Sequence, residues 1–270
     1  MLIKVMALAA LECVFLSSTR DSNDKSMFFS PSEPSQQFCH RLWIALLLAV
    51  IATSAGNAQT PPGGSAAIVL SVGKLHVPGQ RYENGYARHY DESCSATLIS
   101  DEPGAQLSAL IISAWHCMEF YRDTSKPLTF ETPSGEIRNA NLITSGGSMY
   151  SDWALLRLDA PLPAPAILPP EQSEITEALL MAGYPRSASS RARLRPTVSH
   201  CQITGVDGAD TRSDCVLQKG ASGGAVFSAD NNLQYVGVIS RGDGESQSIY
   251  VPLARFRAKI SAYLESSALP

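Results

Sequence analysis

The chain has no apolar run long enough to cross a bilayer, no Cys-x-x-Cys pair, no excess of positive charge and no histidine beyond residue 200. Each absence removes a class of protein. A membrane-spanning helix needs about 20 consecutive apolar residues, and the run Leu42-Trp43-Ile44-Ala45-Leu46-Leu47-Leu48-Ala49-Val50-Ile51 falls well short. Structural zinc sites are commonly built on closely spaced cysteine pairs, so no metal is expected, and nothing calls for a cofactor. With a formal net charge of −4 and 17% charged residues, neither nucleic acid nor an anionic membrane is an expected partner. What remains has an ordinary globular balance, 44% hydrophobic.

The short apolar run has a different use. Arg41 precedes it, small residues follow, and Gly56-Asn57-Ala58 supplies a small-x-small site. This pattern predicts a secretory signal with cleavage after Ala58; an uncleaved anchor is the other reading. The signal starts late. Residues 1–39 hold a second apolar stretch, Met1 to Leu16, broken by Lys4 and Glu12, and Met27 would open a more conventional signal. No function is assigned to residues 1–39. Removing 1–58 takes four basic and four acidic residues with it, so the charge stays at −4 on 212 residues. That size suits one compact unit or two small barrels sharing a cleft. Cys13 and Cys39 leave as well. Cys94, Cys117, Cys201 and Cys215 remain, and four cysteines allow three pairings. A secreted or periplasmic location, with no stable membrane association after signal removal, is expected.

Three short motifs carry chemistry. They read Ser113-Ala114-Trp115-His116-Cys117, Ser151-Asp152-Trp153-Ala154-Leu155-Leu156 and Gly220-Ala221-Ser222-Gly223-Gly224. A serine hydroxyl is a poor nucleophile at neutral pH. It needs a base to take its proton, a buried carboxylate to orient that base, and N–H donors for the developing oxyanion. Separately, His116 reads as a buried structural residue, Asp152 as a turn cap and Ser222 as one more turn residue. Together they read as a nucleophile, its base and the orienting acid. Gly220 to Gly224 also fits the G-x-S-x-G elbow, but there the histidine follows the serine, and all five histidines here precede Ser222. The subtilisin order needs an Asp before the His, for which Asp91 is only a formal candidate. His116, Asp152, Ser222 is the chymotrypsin order.

On these motifs the chain resembles a chymotrypsin-fold (trypsin-like) serine peptidase, and among them secreted bacterial members such as the glutamyl endopeptidases. An apolar strand running into Ala-His-Cys is matched by Leu110 to Cys117, Asp-x-Ala-Leu-Leu by Asp152 to Leu156, and Gly-Asp-Ser-Gly-Gly by Gly220 to Gly224 with Ala221 in place of the aspartate. The likeness covers roughly residues 64–266. It implies an all-β fold of two six-stranded antiparallel β-barrels with a C-terminal α-helix. It further implies a monomer acting on protein or peptide substrates, with an oxyanion hole from the amides of Gly220 and Ser222. It pairs Cys94 with Cys117, and with that Cys201 with Cys215. Ser240-Arg241-Gly242 resembles the family's Ser-Trp-Gly strand, so that Ser240 would bond the triad aspartate and the backbone of Ser240 and Gly242 would pair with substrate. Val216 would lie on the specificity-pocket floor and Ser248 on its wall. Val216 would not attract Lys or Arg, and Ile239 stands where the glutamyl endopeptidases carry a histidine. Family zymogens use the aspartate before the nucleophile to bind a freed N-terminal amine; Ala221 cannot.

Along the chain, short apolar or alternating runs bounded by Gly, Pro, Asp and Ser read as strands: 67–72, 95–100, 107–113, 128–132, 136–144 and 154–158, then 179–183, 194–204, 215–217, 224–227, 235–239 and 248–251. Between the two sets, residues 161–170 hold five prolines. The expected organisation is a first barrel over 59–160, a linker over 161–170, a second barrel over 171–252, and a helix and tail over 253–270. Leu253, Phe256, Ile260, Tyr263 and Leu264 recur at helical spacing, predicting an amphipathic packing helix over 252–266. The reading that follows is a secreted serine endopeptidase. A non-proteolytic serine hydrolase or esterase would keep the triad without cleaving protein. An inactive binding protein on the same fold usually loses a triad residue.

Overall fold

Successive side chains of a strand point to opposite faces, and the strand Leu107–Ser113 shows what an unbroken apolar run does with that rule. Ile111 enters one core with Ala96, Leu98 and Leu156, while Leu110 and Ile112 enter another with Ile99, Trp153 and Leu155. A strand with no polar alternation is one with no solvent face. In the computed structural model, residues 68–121, 126–169, 177–186, 195–229 and 233–265 are described. All lie in the second of the two units into which the chain divides, Met1–Thr60 and Pro61–Pro270. The predicted signal and its cleavage site are outside the described residues.

Six antiparallel strands close the first barrel: β1 (Val72–Glu83), β2 (Tyr86–Ser100), β3 (Leu107–Ser113), β4 (Leu128–Glu131), β5 (Ile137–Ser145) and β6 (Ala154–Pro163). Their order is β1-β4-β5-β6-β3-β2, and β1–β2 pairing completes the ring. A two-residue strand, β7 (Ala166–Ile167), runs parallel beside β2. The second barrel comprises β8 (Ala178–Gly183), β9 (Thr197–Asp207), β10 (Asp210–Ser213), β11 (Ala225–Ser228), β12 (Tyr235–Gly242) and β13 (Ser248–Pro252). It closes in the order β10-β13-β12-β11-β8-β9. The expected fold class is the observed one.

Three cores follow from this arrangement. One fills the first barrel around Leu75, Leu98, Ile111, Phe130 and Leu156. Another fills the second around Met181, Val226, Ile239 and Tyr250. The third lies between the barrels, where Ile99, Ile112 and Leu155 meet Leu180, Ala182, Phe227 and Val238. The C-terminal helix, α1 (Arg257–Glu265), belongs to this seam through Ile260 and Leu264. Phe256, just before it, stacks on Trp153 with ring centroids 5.3 Å apart. The helix therefore buttresses the residue next to Asp152.

Several local expectations need correction. The helix starts at Arg257, because Leu253–Arg255 closes as a 3-10 turn with Phe256 N–H donating to Leu253 O at 3.0 Å. Residues 68–71 are helical, and the first strand begins at Val72. Residues 215–217 form no strand. β6 runs on through Pro161 to Pro163, where it pairs with β3 alone, its pairing with β5 having ended at Leu158. On that open side a proline forfeits no ladder bond. Among the described residues, no helix is long and apolar enough to cross a membrane.

Candidate active site

His116 lies in a 3-10 turn, Trp115–Met118, that ends β3. The turn is held from below by the Cys94–Cys117 disulfide, which ties it to β2 with a Cα–Cα distance of 6.4 Å. Asp152 precedes β6, which is hydrogen-bonded to β3, so strand register brings the two side chains together. Asp152 is wholly buried. Its Oδ1 accepts the His116 backbone N–H at 2.8 Å, and its Oδ2 accepts from His116 Nδ1 at 2.8 Å. Ser240 Oγ, reaching in from β12 of the second barrel, donates to the same Oδ2 at 2.5 Å. A buried carboxylate with three donors stays ionised. An ionised Asp152 makes Nδ1 the protonated nitrogen and leaves Nε2 as the acceptor.

The electrostatics agree. Burial pushes the Asp152 carboxyl up, but the His116 bond and charge, helped by Ser240, outweigh it and leave the pKa below the usual carboxylate value. Burial pulls the imidazole down, yet the bond to Asp152 and its charge, with Glu92 and Glu119 adding, leave His116 above the ordinary histidine value. Opposite shifts on two bonded groups describe a base poised to accept a proton and a carboxylate placed to stabilise the cation.

Ser222 stands on the loop before β11 and lines the same cleft as His116, a cavity of about 750 Å³ between the barrels. In a trans peptide the C=O and N–H point in opposite directions, so the carbonyl bonds of this loop fix where its amides point. Lys219 O accepts from Arg186 N at 2.6 Å, and Ala221 O accepts from Gly224 N at 2.9 Å. The amides of the same two peptides, Gly220 N–H and Ser222 N–H, face the other way and donate to no backbone carbonyl among the described residues outside the strand ladders. Gly220 holds this course with φ +99°, and a Cβ there would lie 2.6 Å from Tyr184 O. Two N–H groups beside a serine and an oriented imidazole can stabilise a tetrahedral oxyanion.

The chain matches the trypsin-like peptidase domain over residues 94–238. It belongs to that family. Among solved structures, the HtrA-type protease AlgW with a tripeptide is similar at 16% identity and a TM-score of 0.53, covering 75% of this chain and 62% of its own. A serine endoprotease from Yersinia pestis is similar at 17% identity and a TM-score of 0.55, covering 77% and 68%. At these identities the likeness is one of fold. The chain spans about three fifths of the length of the first. A comparison with curated proteins gives no match.

The structure places the other predicted residues unevenly. Cys201 and Cys215 are bonded, with Cα atoms 5.2 Å apart. Gly242 lines the cleft with Ser240. Ser248 does not line it; it is fully buried and its hydroxyl donates to Cys215 O at 2.8 Å. Val216 is 45% exposed and also lies outside the lining, while its neighbour Leu217 lies within it. The reason is that 215–217 is loop, so an ungapped count back from Ser222 misses by about one residue. Asp214 and Asp243, the nearby acids, are occupied: Asp214 accepts from Gln202 N, and Asp243 accepts from Glu245, Ser246 and Gln247 to hold its own turn. Met149, Arg186 and Lys219 also line the cleft, and nothing in the sequence set them apart. Cys94, His116 and Cys117 cluster closely, but disulfide sulfurs carry no thiolate charge to hold a metal. A second cavity of about 720 Å³, bordered by Ile68, Asp101, Leu168, Phe227 and Arg257, contains none of these residues.

Proposed function

We propose that the protein is an exported serine endopeptidase using Ser222, His116 and Asp152. The observation that carries this reading is the doubly bonded Asp152–His116 pair opening onto the cleft that Ser222 lines. Ser222 Oγ attacks the scissile carbonyl carbon, and its proton passes to His116 Nε2. The oxygen of that carbonyl takes the negative charge and is held by the Gly220 and Ser222 amides. Collapse breaks the C–N bond as His116 returns its proton to the leaving amine, giving an acyl-enzyme. Water, deprotonated by His116, then releases the acid and restores Ser222. This is the scheme of chymotrypsin-type enzymes.

An extended substrate has an edge to pair with. Pairing of β12 with β11 ends at Val238, while β12 continues to Gly242 against β13 alone. The backbone of Ser240 and Gly242 is therefore open to the cleft for strand addition. The predicted signal and two disulfides support a secreted or periplasmic site of action. The test is labelling with a fluorophosphonate probe together with turnover of casein. Labelling with protein cleavage supports the endopeptidase. Labelling with ester turnover alone would make it an esterase, and no labelling would leave a binding protein.

A further inference from the structure

Trypsin-like zymogens anchor the oxyanion loop through the side chain before the nucleophile, and Ala221 offers none. The loop is instead gripped from the other barrel. Ser95, in β2 and fully buried, donates its hydroxyl to Gly220 O at 2.8 Å and its backbone N–H to Ser222 O at 2.7 Å. The same hydroxyl accepts Tyr184 N–H at 2.8 Å, which fixes the direction of its single proton. The carbonyl of Ser95 in turn accepts from Ser113 Oγ at 2.8 Å. Every polar atom of Ser95 outside its strand ladder is thus engaged. Cys94, beside it, is locked to Cys117 in the histidine turn. Approach is close enough that Gly223, at φ +82°, has no room for a Cβ against Ser95 O and Ser113 Oγ.

We propose that the Ser95 hydroxyl is the positioning residue that holds the oxyanion hole in working form, replacing the anchor that Ala221 cannot supply. The inference rests on the triad reading above. Gly220 is the soft point of the loop, because a glycine crosses between backbone regions at little cost. Turning the 219–220 peptide over would carry the Gly220 N–H out of the cleft. Ser95 opposes that turn by pinning the very next carbonyl, and Arg186 N–H pins the one before it. Without the hydroxyl, Gly220 O is left in a buried site with no donor, and the loop gains a reason to rotate toward one.

The experiment compares wild type with Ser95→Ala, Ser95→Gly and Ser95→Thr, each normalised to active sites titrated with a fluorophosphonate. Losing one oxyanion donor outright costs about 10²–10³ in kcat, so a partly populated loop should lose about 10- to 100-fold on Ser95→Ala. KM should stay within about threefold, because the groups that bind ground-state substrate are untouched. Affinity for a peptide boronic acid, whose tetrahedral adduct occupies the oxyanion hole, should fall by the same factor as kcat. Ser95→Thr, which keeps the hydroxyl, should recover most of both. Ser95→Gly is read in the same way if Ser95→Ala does not fold. A Ser95→Ala enzyme with a lowered melting midpoint but unchanged kcat per titrated site and unchanged boronic-acid affinity overturns the proposal while leaving the triad intact. Failure of wild type to label overturns the triad and the proposal together.

Discussion

At the scale of residues, the three proposed catalytic side chains make the largest predictions. Ser222→Ala should lower kcat by about 10⁶ and abolish probe labelling, since only binding and oxyanion stabilisation remain. Asp152→Asn should cost about 10⁴ by favouring the wrong imidazole tautomer. Turnover close to wild type in either variant would remove that residue from the mechanism. The pH profile follows from the direction of the His116 shift. A base must be neutral to accept a proton, and His116 sits above the ordinary value of about 6.5. The rising limb of kcat/KM should therefore have its midpoint above about 6.5. Stability carries the opposite signs on the two partners. Asp152, depressed, stabilises above its unfolded value of about 3.9 and loses that as pH falls; His116, raised, stabilises below about 6.5 and loses it as pH rises. The melting difference between wild type and Asp152→Asn should thus be greatest between those limits, and a difference that grows steadily toward alkaline pH would contradict the assignment.

At the scale of elements, two disulfides and one stacked pair hold the site in place. Cys94–Cys117 joins β2 to the histidine turn, and Cys201–Cys215 joins β9 to the loop that leads to Ser222. Removing either should destabilise by about 2–5 kcal/mol in chemical denaturation. Their functional effects should differ. Loss of Cys94–Cys117 loosens both His116 and Ser95, so kcat should fall; loss of Cys201–Cys215 should act mainly on stability. The C-terminal helix acts through Phe256, whose ring lies on Trp153 beside Asp152. Phe256→Ala should cost about 3–5 kcal/mol, read from a denaturant midpoint, and an unchanged midpoint would mean the stack is not part of the folded core. Several elements escaped the sequence pattern here. β1 is interrupted by Pro78, Gly79 and several charges, and its hairpin with β2 was legible only in the Asn84-Gly85 turn, where both residues take positive φ. β10, four residues of polar sequence, carries no alternation at all.

At the scale of the whole molecule, the site is a product of the seam. His116 and Asp152 come from the first barrel, Ser222 and Ser240 from the second, and the shared core between them sets their distance. Ile68, the nearest match to a family activation terminus, is 2% exposed and forms part of that core, with Ser71 Oγ donating to its carbonyl. A cut that freed it would dismantle packing. Secreted protein whose N-terminus precedes Ile68, as read by mass spectrometry, should therefore titrate as fully active. Activity confined to protein beginning at Ile68 would show that the oxyanion loop depends on processing after all.

What the sequence determined by itself is chemistry and local pattern. Residue types and their order name a His-Asp-Ser set, because each role demands a particular functional group and the order separates known arrangements. Apolar runs bounded by turn residues mark most strands, because burial on both faces leaves no polar positions. The partner of each group across the seam is another matter. Nothing local links Ser95 to Gly220 or Ser240 to Asp152, 125 and 88 residues apart. Counting residues back from Ser222 missed the cleft lining because a loop has no fixed rise per residue, whereas the strands that carry His116 and Asp152 are held in register by their ladder. Only the closing of two barrels against one core brings a serine hydroxyl to the carbonyl it must hold.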